Sequence, residues 1–349
     1  MKRRILITGV DTYWGGRLAQ ELEKDAENEA IIAVSPEHPS CALLRSEYVR
    51  VGTQHALLRR IVHAARIDTV VDTRLIVDST TAPRRVVHEM NVLGTMNVLA
   101  ACGGPDSPVT KVVFKSSAHY YGCERDDPGF FTEEMHRPYP PRAPIEADIV
   151  EAEDAVQEFA ARNAKVTVTT LRFCDGLGPD LKTAHTALLS LPAVPGILGF
   201  DPRYQFIHED DIVGALHHVV VNDAPGIHNV APDGVLSLSE IAGLLGKPFA
   251  PLLPPWGTGL ATGLTNRIGL HIPAEVRQQL RYGRGLDNRR IKRSGYRFDL
   301  TTREAVQAFA AALRLKPFRE SANAPYRYER EVEEFLRWSP SVHREEPHE

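Results

Sequence analysis

The first residues of this chain with the means to do chemistry form a glycine turn. Residues 4–18 read RILITGVDTYWGGRL, an apolar run, a turn flanked by Gly9 and Gly15, and the start of a helix. Such a turn offers backbone N–H groups and the positive end of a helix to an anion, most naturally a diphosphate. Other reactive side chains are dispersed. Cys41, Cys102, Cys123 and Cys174 show no Cys-x-x-Cys spacing, so no metal site is predicted and a reducing, cytoplasmic setting is expected. His208 and Asp211 in FIHEDD are read as fixing a strand-to-helix junction. The basic run Arg289, Arg290, Lys292 and Arg293 is read as a solvated helix face. With 41 Lys and Arg against 45 Asp and Glu, the net charge of −4 gives no electrostatic case for nucleic acid or an anionic membrane as partner.

The elements that must position this turn follow from periodicity. A chain of 349 residues, 43% hydrophobic and 25% charged, can bury a full core in one large domain or one and a half. No run approaches the ~18 apolar residues of a membrane helix. The opening MKRRILITGV is basic then apolar, but its apolar part is too short for a signal peptide and reads as the first strand. Short apolar runs then alternate with helical patterns, which predicts an α/β fold with a parallel, doubly wound sheet. Strands are expected at 4–8, 30–34, 48–51, 69–73, 110–115 and 166–171, and helices near 15–25, 55–66, 83–102 and 146–162. In the 83–102 helix, Val86, Val87, Met90, Leu93, Asn97 and Val98 recur at helical spacing, with Pro83 in the first turn. Beyond about residue 175 the chain turns irregular, as in LPAVPGILGFDP and PFAPLLPPWGTG, where a smaller region would be built. From Lys316 onward it is charged, with one amphipathic helix near 327–338.

Six segments in order carry a resemblance. They are TGVDTYWGG, MNVLGTMNVL at 90–99, VVFKSSAHYYG at 112–122, LRFCDGLGP at 171–179, FIHEDDIVGAL at 206–216 and IHNVAPDG at 227–234. Together they resemble the extended short-chain dehydrogenase/reductase group, specifically the NAD-dependent epimerase/dehydratase family, over roughly residues 3–315. The first is similar to the family's T-G-x-x-G-x-x-G turn, the second to its N-V-x-G-T helix and the third to its strand-five S-S-x-x-x-Y-G. The resemblance implies a Rossmann dinucleotide-binding domain over 1–175 with a return segment near 203–231. It also implies a substrate-side region over 176–202 and 232–315, and leaves 316–349 as a charged extension. Its expected ligands are NAD or NADP and a nucleotide or nucleotide-sugar, and its expected assembly is a homodimer through the helices 83–102 and 146–162.

Residue by residue, the resemblance divides. Gly9 and Gly15 match the first and third glycines, with Tyr13 and Trp14 inside the turn. Thr12 stands at the middle glycine, where its Cβ is expected to push a phosphate outward or shift the turn. Ser35 ends strand two in place of the acid that bonds the ribose in NAD-binding members, and no arginine follows for a 2′-phosphate, so NAD and NADP both stay open. Thr73, Arg74, Asn91 and Ser116 complete the expected cofactor contacts. For chemistry the family uses a Tyr-x-x-x-Lys pair and a hydroxyl that bonds the substrate oxygen. Ser117 aligns with that hydroxyl, although bonding to local backbone is an equal reading. In PIEADIVEAEDAV, Ile145 and Ile149 stand at the Tyr and Lys. Neither exchanges a proton, which predicts a protein that binds a dinucleotide or nucleotide-sugar with its standard redox catalysis altered or lost. The alternative is an active NAD(P)-dependent nucleotide-sugar epimerase, dehydratase or reductase that uses replacement residues, Tyr121 and Tyr139 among them, with Tyr120 and His119 nearby. Arg203 in DPRYQFIH and Arg284 in YGRGLD resemble the family's diphosphate-holding arginines. They are either a clamp or a pair of surface cations partnered by Asp201 and Asp287.

Overall fold

Apolar runs such as Ile5–Ile7 and Val112–Phe114 need cover on both faces, as in a parallel sheet with helices on each side. A computed structural model describes residues 2–52, 54–253 and 272–315. Its main sheet has strands β1 Arg3–Thr8, β2 Asn28–Ser35, β3 Glu47–Arg50, β4 Thr69–Asp72, β5 Lys111–Ser117, β6 Thr167–Phe173 and β7 Gly226–Val230. They lie in the order β3-β2-β1-β4-β5-β6-β7, all parallel. Alternate residues serve opposite layers. Leu6, Val70 and Val112 join one apolar cluster with Leu58, Val98, Ile149 and Val156, whereas Ile5, Ile7, Val71 and Val113 join another with Leu18, Leu22, Ile212 and Leu216. The helices behind these faces are α1 Tyr13–Glu23, α2 His55–Ala64, α3 Arg84–Cys102, α4 Pro144–Arg162 and α5 Glu209–Val221.

Strand order reverses between β1 and β4, which opens a crevice beyond the carboxyl ends of the strands. Both β5 and β6 run two residues past their expected ends, and this carries Ser116, Ser117 and Phe173 to the rim of that crevice. Pro83 stands at the cap of α3 and not in its first turn, and the helix contains a π turn at Glu89–Leu93. Asn91 lies in that turn. Its side chain accepts from Ile76 N and donates to Ile76 O, both at 2.8 Å, so it fixes the loop after β4. A third cluster, including Leu188, Tyr204, Phe206, Ile241 and Phe309, forms a smaller C-terminal region. It contains the helices Ala184–Ser190, Leu238–Leu245, Ala274–Tyr282 and 302–315. The expected helix near 327–338 and the second half of PFAPLLPPWGTG lie outside the described residues. Among the described residues no helix is long and apolar enough to cross a membrane.

Candidate functional site

The turn after β1 is built around two places where no side chain fits. Gly9 adopts φ +82°, and a Cβ there would come within 2.6 Å of Arg74 Cγ. At Gly15 a Cβ would collide with Gly9 O. Thr12 has a role in the turn itself. Its hydroxyl folds back into the turn, donating to Gly9 O at 2.6 Å and accepting from Gly15 N at 3.1 Å, so Thr12 serves as the N-cap of α1. Gly16 N is taken by Thr12 O at 3.2 Å. Of the amides in the first turn of α1, those of Tyr13 and Trp14 have no partner among the described residues, and they remain available at the positive helix end.

Beside the turn, several expected cofactor residues are committed to the protein itself. Ser35 donates to Glu37 O at 2.6 Å, which closes its own loop. Thr73 donates to Thr8 O at 2.8 Å. Ser116 donates to Glu153. Arg74 lies across Gly9 and is buried, with Nε and Nη2 on Asp72 at 2.9 and 2.8 Å. Burial raises the Asp72 carboxyl, but the Arg74 guanidinium and the hydrogen bonds outweigh it and hold the group below the usual carboxylate range.

A cavity of about 240 Å³ opens between this turn and the ends of β4, β5 and β6. Thr12, Tyr13, Trp14, Thr73, Arg74, Ser116 and Ser117 all line it. Ser117 Oγ also accepts from His119 N at 3.2 Å, which caps the short helical turn that follows. Gly9, Gly15, Ser35, Asn91, Tyr121, Tyr139, Arg203 and Arg284 are not among the lining residues. Tyr121 is buried behind the rim, stacked on Phe131, where its hydroxyl donates to Asn229 and accepts from Arg172, each at 2.8 Å. Burial pushes that phenol up to about 12. Tyr139 is 49% exposed on a loop. Neither phenol is placed to meet a ligand in the cavity.

Ile145 and Ile149 are 2% and 0% exposed and pack in the first apolar cluster. Glu153, one further turn along α4, fixes the register of this helix. It grips the fully buried Arg172 of β6 at 2.6 Å, and the Arg172 guanidinium lies 3.5 Å from the centre of the Tyr120 ring.

The two arginines expected to converge do not. Their backbones touch, since Arg284 N donates to Arg203 O at 3.1 Å, but the side chains part. Arg203 is exposed, whereas Arg284 is buried against Gly122 O at 3.2 Å and His119 Nδ1 at 3.5 Å, with Asp175 at 4.0 Å. The surface-pair reading also fails, because Asp201 bonds Ser239 and Asp287 bonds Arg289. Burial, reinforced by Arg284, holds the His119 imidazole down to about 3, so it is neutral. His208 and Asp211 act as junction residues: His208 caps α5, and Asp211 accepts from Asp299 N at 2.8 Å.

Lys115 was not singled out from sequence. It lines the cavity, is 3% exposed, and holds its ammonium 5.5 Å from the Trp14 ring and 5.8 Å from the Phe173 ring. The available signal was a lone lysine inside the otherwise apolar run VVFKSS.

Sheet order, glycine turn and crevice together define a Rossmann-type α/β protein. The chain belongs to the NAD dependent epimerase/dehydratase family, whose model matches residues 5–231. It is 31% identical over 325 residues to the uncharacterized protein Rv0501 of Mycobacterium tuberculosis, covering 90% of this chain and 85% of that one, and equally to the uncharacterized protein Mb0513 of Mycobacterium bovis. Among solved structures it is similar to MoeE5 in complex with UDP-glucose and NAD, at 21% identity and TM-score 0.66, covering 90% of this chain and 99% of that one. The UDP-glucose 4-epimerase of Thermotoga maritima, solved with UDP-glucose, is similar at 17% identity and the same TM-score and coverage.

Proposed function

We propose that this chain is a member of its family that binds a dinucleotide or nucleotide-sugar and has altered or lost the standard redox cycle. One observation carries the reading: where the family resemblance puts a Tyr and a Lys, Ile145 and Ile149 are sealed in the apolar core. NAD or NADP, when bound, supplies a hydride acceptor and donor. The chain's own contribution to holding it is the turn that Gly9 and Gly15 permit, since a Cβ at either would strike the protein itself, with the amides of Tyr13 and Trp14 offered to a diphosphate. Ser117 provides a hydroxyl at the cavity wall. The family's dimer, built on the outer faces of α3 and α4, is part of the same proposal.

Calorimetry with NAD, NADP and UDP-glucose, followed by assays for epimerase, dehydratase and reductase turnover, tests the reading. Binding without turnover is the expected result, and failure of all three ligands to bind overturns it. The second reading, turnover by replacement residues, is favoured by the presence of Ser117 and Lys115 on one cavity wall. It predicts turnover that Ser117→Ala removes, whereas Tyr121→Phe and Tyr139→Phe leave the rate intact because neither phenol reaches the cavity.

A further inference from the structure

Each other buried cation discussed above, and Lys111 as well, has a protein partner. Arg74 has Asp72, Arg172 has Glu153, Arg284 has Gly122 O, and Lys111 has Val220 O and Asn222 O. Lys115 differs. Its ammonium has no hydrogen bond or ion pair with any described residue and rests between the Trp14 and Phe173 rings. Burying a cation without a partner is costly, and such groups mark sites where something else must answer the charge. Burial brings the group down to about 8, so it is still largely protonated at neutral pH.

Its place in the fold says which part of a ligand it faces. In a doubly wound sheet the diphosphate sits at the first glycine turn, one nucleotide lies over the strands on one side of the reversal, and the second lies over those on the other. Here β1, β2 and β3 form the first side, and β4, β5 and β6 the second. Lys115 belongs to β5 and meets Trp14 of the glycine turn, so it lies beneath the second nucleotide, where a nicotinamide would stack. Two neighbouring charges have cationic partners within the protein: Asp72 has Arg74, and Asp175 has Arg284 at 4.0 Å. The carboxylates of Asp78 and Glu275, which also line the cavity, accept from Thr80 and Ala184 and from Ser79.

We propose that Lys115 makes this chain discriminate between redox forms of its cofactor, holding the uncharged reduced nicotinamide and rejecting the cationic oxidised ring. The inference rests on the dinucleotide reading above. The two forms have the same diphosphate and differ by one hydride on the nicotinamide, which removes the ring's positive charge. A fixed cation in the same site of reduced dielectric is enough for a preference of at least about tenfold.

Titration of the full-length protein with NADH, NAD and ADP-ribose tests this, with the 2′-phosphorylated pair run in parallel. ADP-ribose keeps the diphosphate and adenosine but lacks the nicotinamide, so it reports on the turn alone. The expected result is NADH bound at least about tenfold more tightly than NAD by the wild type. Lys115→Met should bring the two together, mainly by strengthening NAD, and Lys115→Arg should keep the preference. ADP-ribose affinity should be the same in all three proteins. Equal affinities in the wild type, or a preference that persists in Lys115→Met, overturn the role of Lys115 while leaving the dinucleotide reading in place if ADP-ribose binds. If neither ADP-ribose nor NADH binds the wild type, the dinucleotide reading itself falls and this inference falls with it. Should Lys115→Met not fold, Lys115→Arg and the wild-type ratio still decide the matter.

Discussion

Lys115 and Arg172 show two ways for one sheet to hold a buried cation. Arg172 is enclosed by Glu153, Tyr121 and the Tyr120 ring, so its charge is balanced inside the protein. Lys115 has aromatic faces and a cavity, and the cost appears in its proton affinity, which falls from 10.5 to about 8 through burial. Between those two values the unfolded chain binds more protons than the folded one, so protonation of this lysine works against folding, fully below pH 8 and not at all above pH 10.5. Wild-type stability measured relative to Lys115→Met should therefore rise across that window, by on the order of 3 kcal/mol in all. Denaturant titrations of both proteins from pH 7 to 10.5 would show it. A difference that stays flat with pH would mean the ammonium is answered inside the protein after all.

At the scale of elements, the glycine turn behaves as a cap and a cradle at once. Gly9→Val should abolish nucleotide binding, because the φ of +82° and the contact with Arg74 Cγ leave no room for a side chain. Thr12→Gly should keep binding at wild-type strength or better and lower stability by only a few tenths of a kcal/mol, the usual difference between these residues at an N-cap. Calorimetry with NAD and NADP separates the two variants, and unchanged affinity in Gly9→Val would remove this turn from the ligand site. Strands β1, β4 and β5 were legible in the sequence because an apolar run buried on both faces writes its own pattern. The π turn of α3 was not, since it depends on the Asn91 side chain reaching Ile76 across the fold. The same holds for the arginines. Their sequence neighbours are correct, yet only tertiary packing turns Arg284 inward to Gly122 and leaves Arg203 outside. Ser117 reaches the cavity wall because it ends a strand that is readable in the sequence, whereas the directions of Tyr121 and Tyr139 depend on tertiary packing.

For the whole molecule, the exposed face of α3 bears on assembly. On α3, Val86, Leu93 and Met96 are 41%, 48% and 42% exposed, a stripe of large apolar side chains facing solvent. On α4, by contrast, Ile149, Val156 and Phe159 are buried in the chain's own core. The stripe on α3 is then the apolar centre of the proposed two-fold contact. Light scattering at micromolar concentration should give twice 38.7 kDa, and Leu93→Glu combined with Met96→Glu should return the monomer. A wild type that scatters as a monomer would refute the dimer.

The Thr12 cap and the Asp72–Arg74 pair have a consequence for recognition. Both are satisfied within the protein, so a diphosphate held by the amides of Tyr13 and Trp14, as proposed, would displace no protein partner. On that proposal, differences in affinity between one nucleotide and another originate farther out, where a ligand would reach past the turn to Lys115 and Ser117.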